Sequence, residues 1–118
     1  HEGFNFTDNG FHNIGVKPTK DEDDLGRYAV KKVAINRGAF KTPTLRDIAL
    51  TAPYMHNGLY RTLEEVVEHY DRGGDTTDNL SPNMKPLNLS AQEKADLVAF
   101  MRTLTGKPMQ VAIPQLPQ

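Results

Sequence analysis

The stretch that begins at Thr62 does most to limit what this chain can fold into, because it combines a helix start, a helical period and a stop. Thr62 and Glu65 have the spacing of a capping box, and Gly73-Gly74 is a strong helix end. The pattern predicts a helix from Thr62 to Arg72, whose phase places His69 outside the apolar face. The residues expected on that buried face are Leu63, Val66, Val67 and Tyr70.

A second helix is predicted from about Ala91 to Thr105. Ser90 and Glu93 form another capping-box pair, and Gly106 supplies the stop. The residues expected to face the core are Leu97, Val98, Met101 and Leu104. We expect the two helices together to form the hydrophobic core.

The rest of the chain is rich in residues that interrupt regular structure. Residues 1–19 are expected to be coil pinned by aromatic side chains, and residues 75–88 to be a long ordered loop or a mobile lid. The acidic run 21–24 either opens a short helix or is a solvated charge cluster, and the proline-containing tail after Gly106 is expected to be extended. The fold class predicted is mostly α, with long irregular loops.

Composition narrows the function classes. The chain has 118 residues, 37% of them hydrophobic, and a formal net charge of -1, which is typical of one domain with a modest core. A near-neutral chain has no general attraction to nucleic acid, and no apolar run approaches the about 20 residues of a membrane span. The sequence opens at His1 without a secretory leader, and we expect a fragment of a longer protein. It has no cysteine, so disulfides, thiolate zinc sites and thioether attachment of haem to this chain are excluded.

The segment Phe40 to Gly58 is dense in Pro, Arg, His and Gly, which indicates a shaped loop and a candidate site. The chain lacks a phosphate-binding glycine loop, a nucleophile elbow and a short histidine metal motif. A non-haem metal site at His56 or His69 is disfavoured, because no second ligand lies at a suitable helical spacing. His12 has no assigned role.

Phe40 to Gly58, followed by Thr62 to Gly74, resembles the C-terminal haem domain of bacterial di-haem cytochrome c peroxidases and the related MauG proteins. The opening residues 1–16 and the last helix also match that domain. The resemblance implies one cytochrome-c-like domain over residues 1–118. It also implies that His1 is the histidine of a Cys-X-X-Cys-His attachment motif whose cysteines precede the sequence given.

The resemblance implies an electron-transfer domain carrying haem c. In the parent protein it would receive electrons from a small periplasmic donor or a protein substrate and relay them to a peroxidatic haem on an N-terminal domain. We expect a periplasmic oxidoreductase as the parent and no peroxidase turnover by this chain alone. The alternative is a haem-free binding or structural module of the same fold, which the lack of cysteine favours.

The same resemblance suggests the iron ligands. His1 matches the proximal ligand, and Tyr70, fourteen residues after His56, occupies the distal position that is methionine in the peroxidases and tyrosine in MauG. From the residues alone, the favoured role of Tyr70 is a packed core aromatic, and the resemblance reverses that preference for the parent protein. Met55 is the alternative distal ligand, or else a core-filling side chain.

Four further residues receive roles from the resemblance. His56 would hydrogen-bond a haem propionate or guide electrons, or simply bond the loop backbone. Arg46 would pair with a propionate, or brace the loop. The backbone carbonyls of Thr51 and Pro53 match ligands of a calcium ion bound between the haem domains.

Overall fold

The computed structural model describes residues 1–20, 24–108 and 110–111. In chain order it contains strand β1 (Phe11–His12), strand β2 (Phe40–Lys41), helix α1 (Leu63–Asp71) and helix α2 (Ala91–Thr103), with short 3-10 turns at Arg27–Ala29, Ala34–Asn36 and Ile48–Leu50. The α-helices hold 9 and 13 residues, so the expected mostly α architecture is modest and irregular segments make up most of the described chain.

Both capping boxes predicted from the sequence are present. The Glu65 amide donates to the Thr62 hydroxyl at 3.2 Å, and the Thr62 amide donates back to the Glu65 carboxylate at 2.9 Å. Ser90 and Glu93 repeat the arrangement at α2. Helix α2 stops two residues before the predicted end, because its last amides bond three residues back, as in a tightened 3-10 turn.

The core lies between α1, α2 and the residues just after the 3-10 turn at Ile48–Leu50. Its buried members are Tyr54, Leu63, Val67, Val98 and Met101. The predicted inward position of Leu97 is wrong, since this side chain is 42% exposed. Val98 and Met101 point at α1, and a residue directly before Val98 is turned away by about 100° of helix rotation.

The expected outward position of His69 is also wrong, because His69 is 0% exposed. The segment around Ile14 and Gly15 packs against the side of α1 that α2 leaves uncovered, so this short helix has protein on two sides. The amides of Asp75 and Thr76 both donate to the Gly15 carbonyl, at 2.7 and 3.2 Å. The loop after α1 is therefore tied to the N-terminal third of the chain, which favours an ordered loop over a mobile lid.

Residues 1–19 are irregular as expected, except that β1 pairs antiparallel with β2, Phe11 opposite Lys41 and His12 opposite Phe40. Three residues of the acidic run, Asp21 to Asp23, lie outside the described residues, as does the predicted extended tail from Ala112 onward. Within the described ranges, no helix is both long and apolar enough to span a bilayer.

Candidate functional site

The first seven residues form a compact turn, called here the His1 turn (residues 1–7). The Phe6 amide donates to the Gly3 carbonyl at 3.1 Å, and the Thr7 amide donates to the Glu2 carbonyl at 2.9 Å. His1 Nδ1 lies 3.2 Å from the Phe6 carbonyl oxygen. A carbonyl only accepts, so Nδ1 is the donor, and in the neutral ring Nε2 keeps a free lone pair.

The His1 turn is hydrogen-bonded to residues 42–46 of the Phe40 to Gly58 loop. Arg46 Nη2 donates to the Phe4 carbonyl at 2.6 Å, and the Thr44 hydroxyl donates to the Asn5 carbonyl at 2.6 Å. The Thr7 hydroxyl completes the attachment by donating to the Thr42 carbonyl at 2.6 Å. The guanidinium carbon of Arg46 also lies 4.9 Å from the centre of the Phe4 ring and 5.4 Å from that of Phe6.

Tyr70 lies in the last turn of α1 and is half-buried. Its ring meets that of His69 edge-on, with centroids 5.7 Å apart at 87°. Burial raises the pKa of the Tyr70 phenol, and no hydrogen bond from the described residues contributes to that shift. Tyr70 is thus a half-buried phenol whose oxygen has no protein hydrogen-bond partner in the described part of the chain.

His56 stacks on Phe40, with ring centroids 3.7 Å apart and an interplanar angle of 10°. The pair lines a cavity of about 650 Å³ whose wall also includes Asn13, Gly38 and Asn57. Burial lowers the pKa of His56, opposed by the nearby Asp24 carboxylate. The adjacent Met55 is partly buried and has a positive φ of 70°, and its carbonyl accepts the Gly58 amide at 3.2 Å.

Thr51 and Pro53 lie on the surface on either side of Ala52, and the Ala52–Pro53 peptide is cis. Neither carbonyl accepts a backbone hydrogen bond from the described residues. The next residue, Tyr54, is buried and anchored at both ends: its amide donates to the Tyr60 carbonyl at 2.7 Å and its hydroxyl to the Ile48 carbonyl at 2.9 Å. Two free carbonyls are thereby presented on a fixed loop.

The sequence reasoning missed a polar network behind α1. His69 Nε2 donates to the Ile14 carbonyl at 2.8 Å, and His69 Nδ1 lies 3.1 Å from the Tyr60 hydroxyl. That hydroxyl donates to Asp75 at 2.8 Å and accepts from Arg72 at 2.6 Å. The sequence signal that could have indicated part of this network is the i,i+3 spacing of Arg72 and Asp75, which form an ion pair. Since both His69 nitrogens have protein partners, this residue is not available as a metal ligand.

No hydrogen bond joins His1 to Tyr70, and His56 belongs to a separate wall with Phe40. Among the residues that the structure describes, no three His, Cys, Asp or Glu side chains gather as a cation site would require. The described residues therefore offer three candidate features, the His1 turn, the Tyr70 phenol and the Phe40–His56 stack, and no carboxylate or histidine cluster of the kind that binds a cation.

Comparison with known proteins shows which family the chain belongs to. No family model matches the chain. The methylamine utilization protein MauG of Methylorubrum extorquens is 45% identical over 117 residues, which is 99% of this chain and 33% of that protein. The cytochrome-c peroxidase IdrP2 of a Pseudomonas species is 49% identical over 94 residues, 80% of this chain and 24% of that protein. The chain is a relative of MauG and the cytochrome c peroxidases.

A solved structure supports the same relationship. A MauG-like protein associated with microbial copper homeostasis superposes with a TM-score of 0.74 at 38% identity, covering 82% of this chain and 35% of that one. The likeness is consistent with the cytochrome-c-like fold expected from the sequence. The chain spans about a third of the length of the MauG relative, and the match lies in the C-terminal portion of these proteins.

Proposed function

We propose that residues 1–118 are one cytochrome-c-like domain of a MauG-type or cytochrome c peroxidase-type oxidoreductase. In the parent protein the domain receives electrons and passes them to a peroxidatic haem on an N-terminal domain. The observation that carries the proposal is the His1 turn, in which Nδ1 is occupied by the Phe6 carbonyl at 3.2 Å. The 45% identity to MauG supports it. We place the parent in the periplasm, where a small electron donor or a protein substrate would meet it.

The donor chemistry of the chain fits a haem iron. Histidines that bind metals commonly give their other ring N–H to a carbonyl, which fixes the tautomer and leaves one nitrogen for the metal. His1 has this arrangement. Tyr70 offers a half-buried phenol oxygen with no hydrogen bond from the described residues, and histidine and tyrosine are both known axial ligands of haem. When bound, haem supplies one-electron redox chemistry, and an anionic phenolate favours the more highly charged ferric state.

The protein's own residues would hold the haem and shape its surroundings. His1 holds a lone pair at Nε2, and the half-buried Tyr70 offers its phenol oxygen. The Phe40–His56 stack gives a rigid aromatic wall beside the cavity, which suits contact with a neighbouring domain. Met55 remains the alternative distal ligand. Because the chain has no cysteine, only these side chains would hold haem within the sequence given.

We propose calcium as a second ion, at the Thr51–Pro53 segment. The Thr51 and Pro53 carbonyls are exposed and accept no backbone hydrogen bond from the described residues. Carbonyl oxygen is a hard donor that suits calcium, which takes about 6–8 oxygen ligands. Two carbonyls are too few for a closed site, so the remaining ligands would come from the parent protein and water.

The second candidate is a haem-free binding or structural module of the same fold. The absence of cysteine favours it. A titration of the purified chain with ferric haem separates the two candidates, with absorption spectra and an intact mass. A saturable Soret band at one haem per chain supports the haem domain. No specific band, with the chain folded at its calculated mass, supports the haem-free module.

Variants then test the ligands. Tyr70→Phe should change the spectrum of the haem-bound chain, because phenylalanine cannot coordinate iron, while Tyr28→Phe serves as the matched control. Met55→Leu should leave the spectrum unchanged. If the Tyr70→Phe spectrum is identical to that of the unmutated chain and the Met55→Leu spectrum is changed, the distal ligand is Met55.

A further inference from the structure

We infer that Arg46 is a positioning residue for His1, acting by holding the His1 turn in place rather than by pairing with a carboxylate of a bound group. Its importance for iron rests on the proposed function. The contact itself is a property of the chain without haem.

Arg46 contacts the turn in two ways. Its Nη2 donates to the Phe4 carbonyl at 2.6 Å, and its guanidinium carbon lies 4.9 Å from the Phe4 ring centre and 5.4 Å from that of Phe6. The guanidinium is planar and combines directed donors with weak hydration, so it can stack on an aromatic ring and donate sideways at once. In the described part of the chain, Arg46 has no carboxylate within ion-pair distance, which leaves the turn as its partner.

Phe6 explains why the turn needs to be held. Its φ is 51°, in the left-handed region that a bulky side chain rarely adopts. Such a conformation persists only where surrounding contacts fix it. Two residues contact the Phe6 ring: Arg46, and Phe100, whose ring centroid lies 6.2 Å from that of Phe6 at an interplanar angle of 63°.

The link to His1 follows from one atom. The carbonyl oxygen of Phe6 accepts the His1 Nδ1 hydrogen at 3.2 Å, so the conformation of Phe6 fixes the tautomer of His1. Phe4 itself is 85% exposed, so the hydrophobic core does not hold this part of the turn. Loss of the Arg46 contacts should release the Phe6 carbonyl and, with it, the His1 ring.

The test uses the 118-residue chain without haem. Amide hydrogen exchange of Phe6 and Thr7, whose N–H groups are bonded inside the turn, should be about tenfold faster in Arg46→Lys and Arg46→Gln, the scale expected for losing a hydrogen bond from a charged donor. The ring ¹⁵N shifts of His1 at about pH 8.5, above the ordinary histidine pKa, should move from the Nδ1–H tautomer toward the usual mixture. Amides of α1 and α2 should keep their rates.

Two controls sharpen the result. Arg27→Lys alters another arginine stacked on an aromatic ring, 4.4 Å from the centre of Phe11, and should leave the His1 turn unchanged. Phe4→Leu removes the exposed ring that Arg46 covers and should act in the same direction as the Arg46 variants. Exchange within about twofold of the parent, with an unchanged His1 tautomer, would overturn the inference.

The hydrogen-exchange and tautomer results are independent of the haem proposal, because both are measured on the haem-free chain. A chain that fails to bind haem leaves the Arg46 result standing. An Arg46 variant that is normal without haem but changes the spectrum after haem is added would show propionate pairing instead, and the positioning role would be wrong.

Discussion

The imidazole of His69 donates from Nε2 to the carbonyl of Ile14 at 2.8 Å, joining α1 to a position 55 residues earlier in the chain. The other ring nitrogen faces the Tyr60 hydroxyl at 3.1 Å, and the side chain is fully buried. A buried imidazole whose N–H is bonded to a main-chain carbonyl stabilises the fold mainly because its removal leaves that carbonyl without a bond. This bond therefore fixes the packing of the N-terminal third against the helix that carries Tyr70.

His69→Ala should lower the free energy of unfolding by about 3 kcal/mol, since it opens a cavity and leaves the Ile14 carbonyl unpaired. The measurement is urea denaturation followed by circular dichroism. His12→Ala is the matched control: among the described residues, this half-buried side chain bonds only the Asp8 carboxylate, and its removal should cost less than about 1 kcal/mol. Equal losses in the two variants would contradict a structural role for the His69 network.

Asp75 should make stability depend on acid pH. Partial burial alone would raise its pKa, but hydrogen bonds from Arg72 and Tyr60 outweigh this and hold the pKa below its ordinary value. A depressed carboxylate pKa stabilises the fold above the unfolded-state pKa, and the contribution is lost as the pH falls through the folded-state value. Urea midpoints at about pH 6 and about pH 3 should therefore differ less in Asp75→Asn than in the parent chain.

The control for that experiment is Asp78→Asn, because Asp78 is exposed and its carboxylate forms no ion pair with the described residues. The stability of Asp78→Asn should depend on pH in the same way as that of the unmutated chain. A parent-like pH dependence in Asp75→Asn would show that the network does not hold Asp75 ionised.

Gly15→Ala should be more destabilising than Gly3→Ala, although both glycines have φ of 68°. A Cβ at Gly15 would lie 2.7 Å from the Thr76 carbonyl oxygen, whereas a Cβ at Gly3 meets nothing within 4 Å. We expect about 1 kcal/mol for the backbone conformation alone and about 2 kcal/mol or more where overlap is added. Thermal unfolding of the two variants measures the difference, and equal values would contradict a close Gly15–Thr76 contact.

The capping boxes should each contribute to helix stability. Thr62→Ala and Ser90→Ala remove the hydroxyl that accepts the amide of the third helical residue, and each should cost about 1 kcal/mol. Thr77→Ala, at an exposed loop position, is the control and should be close to neutral. Chemical denaturation of the three variants measures their free energies of unfolding. A loss of stability in Thr77→Ala as large as in the cap variants would contradict a stabilising role for the capping hydroxyls.

The helices could be predicted from sequence because their signals are local. Thr62 and Glu65, three residues apart, define the start of α1 whatever the rest of the chain does. The burial of His69 could not be predicted in this way, since it depends on Ile14, which periodicity within α1 does not report. The predicted burial of Leu97 was wrong for a related reason. Leu97 precedes the inward Val98 and fits an apolar helical pattern, but its side chain faces outward.

The candidate site likewise has parts that the sequence could indicate and parts that it could not. The positions of His1 and Tyr70 came from resemblance, and the roles proposed for them still await the haem titration. The contacts of Arg46 lay beyond sequence reasoning, because the Phe4 carbonyl that it binds is 42 residues away and is a backbone atom common to every residue type. Side chains bonded to distant main-chain oxygens leave no pattern in a sequence.

The attachment of the His1 turn has a consequence for how the molecule opens. Its three fastening bonds join residues 35 to 42 positions apart, and the ion pairs between α1 and α2 join residues 26 and 38 positions apart, so chain distance does not distinguish the two attachments. What differs is burial: the helices share the core residues Val67, Val98 and Met101, whereas Phe4 in the turn is 85% exposed. On warming we expect the turn to open as a local unit, so that the imidazole proposed to bind iron is released while α1 and α2 remain folded.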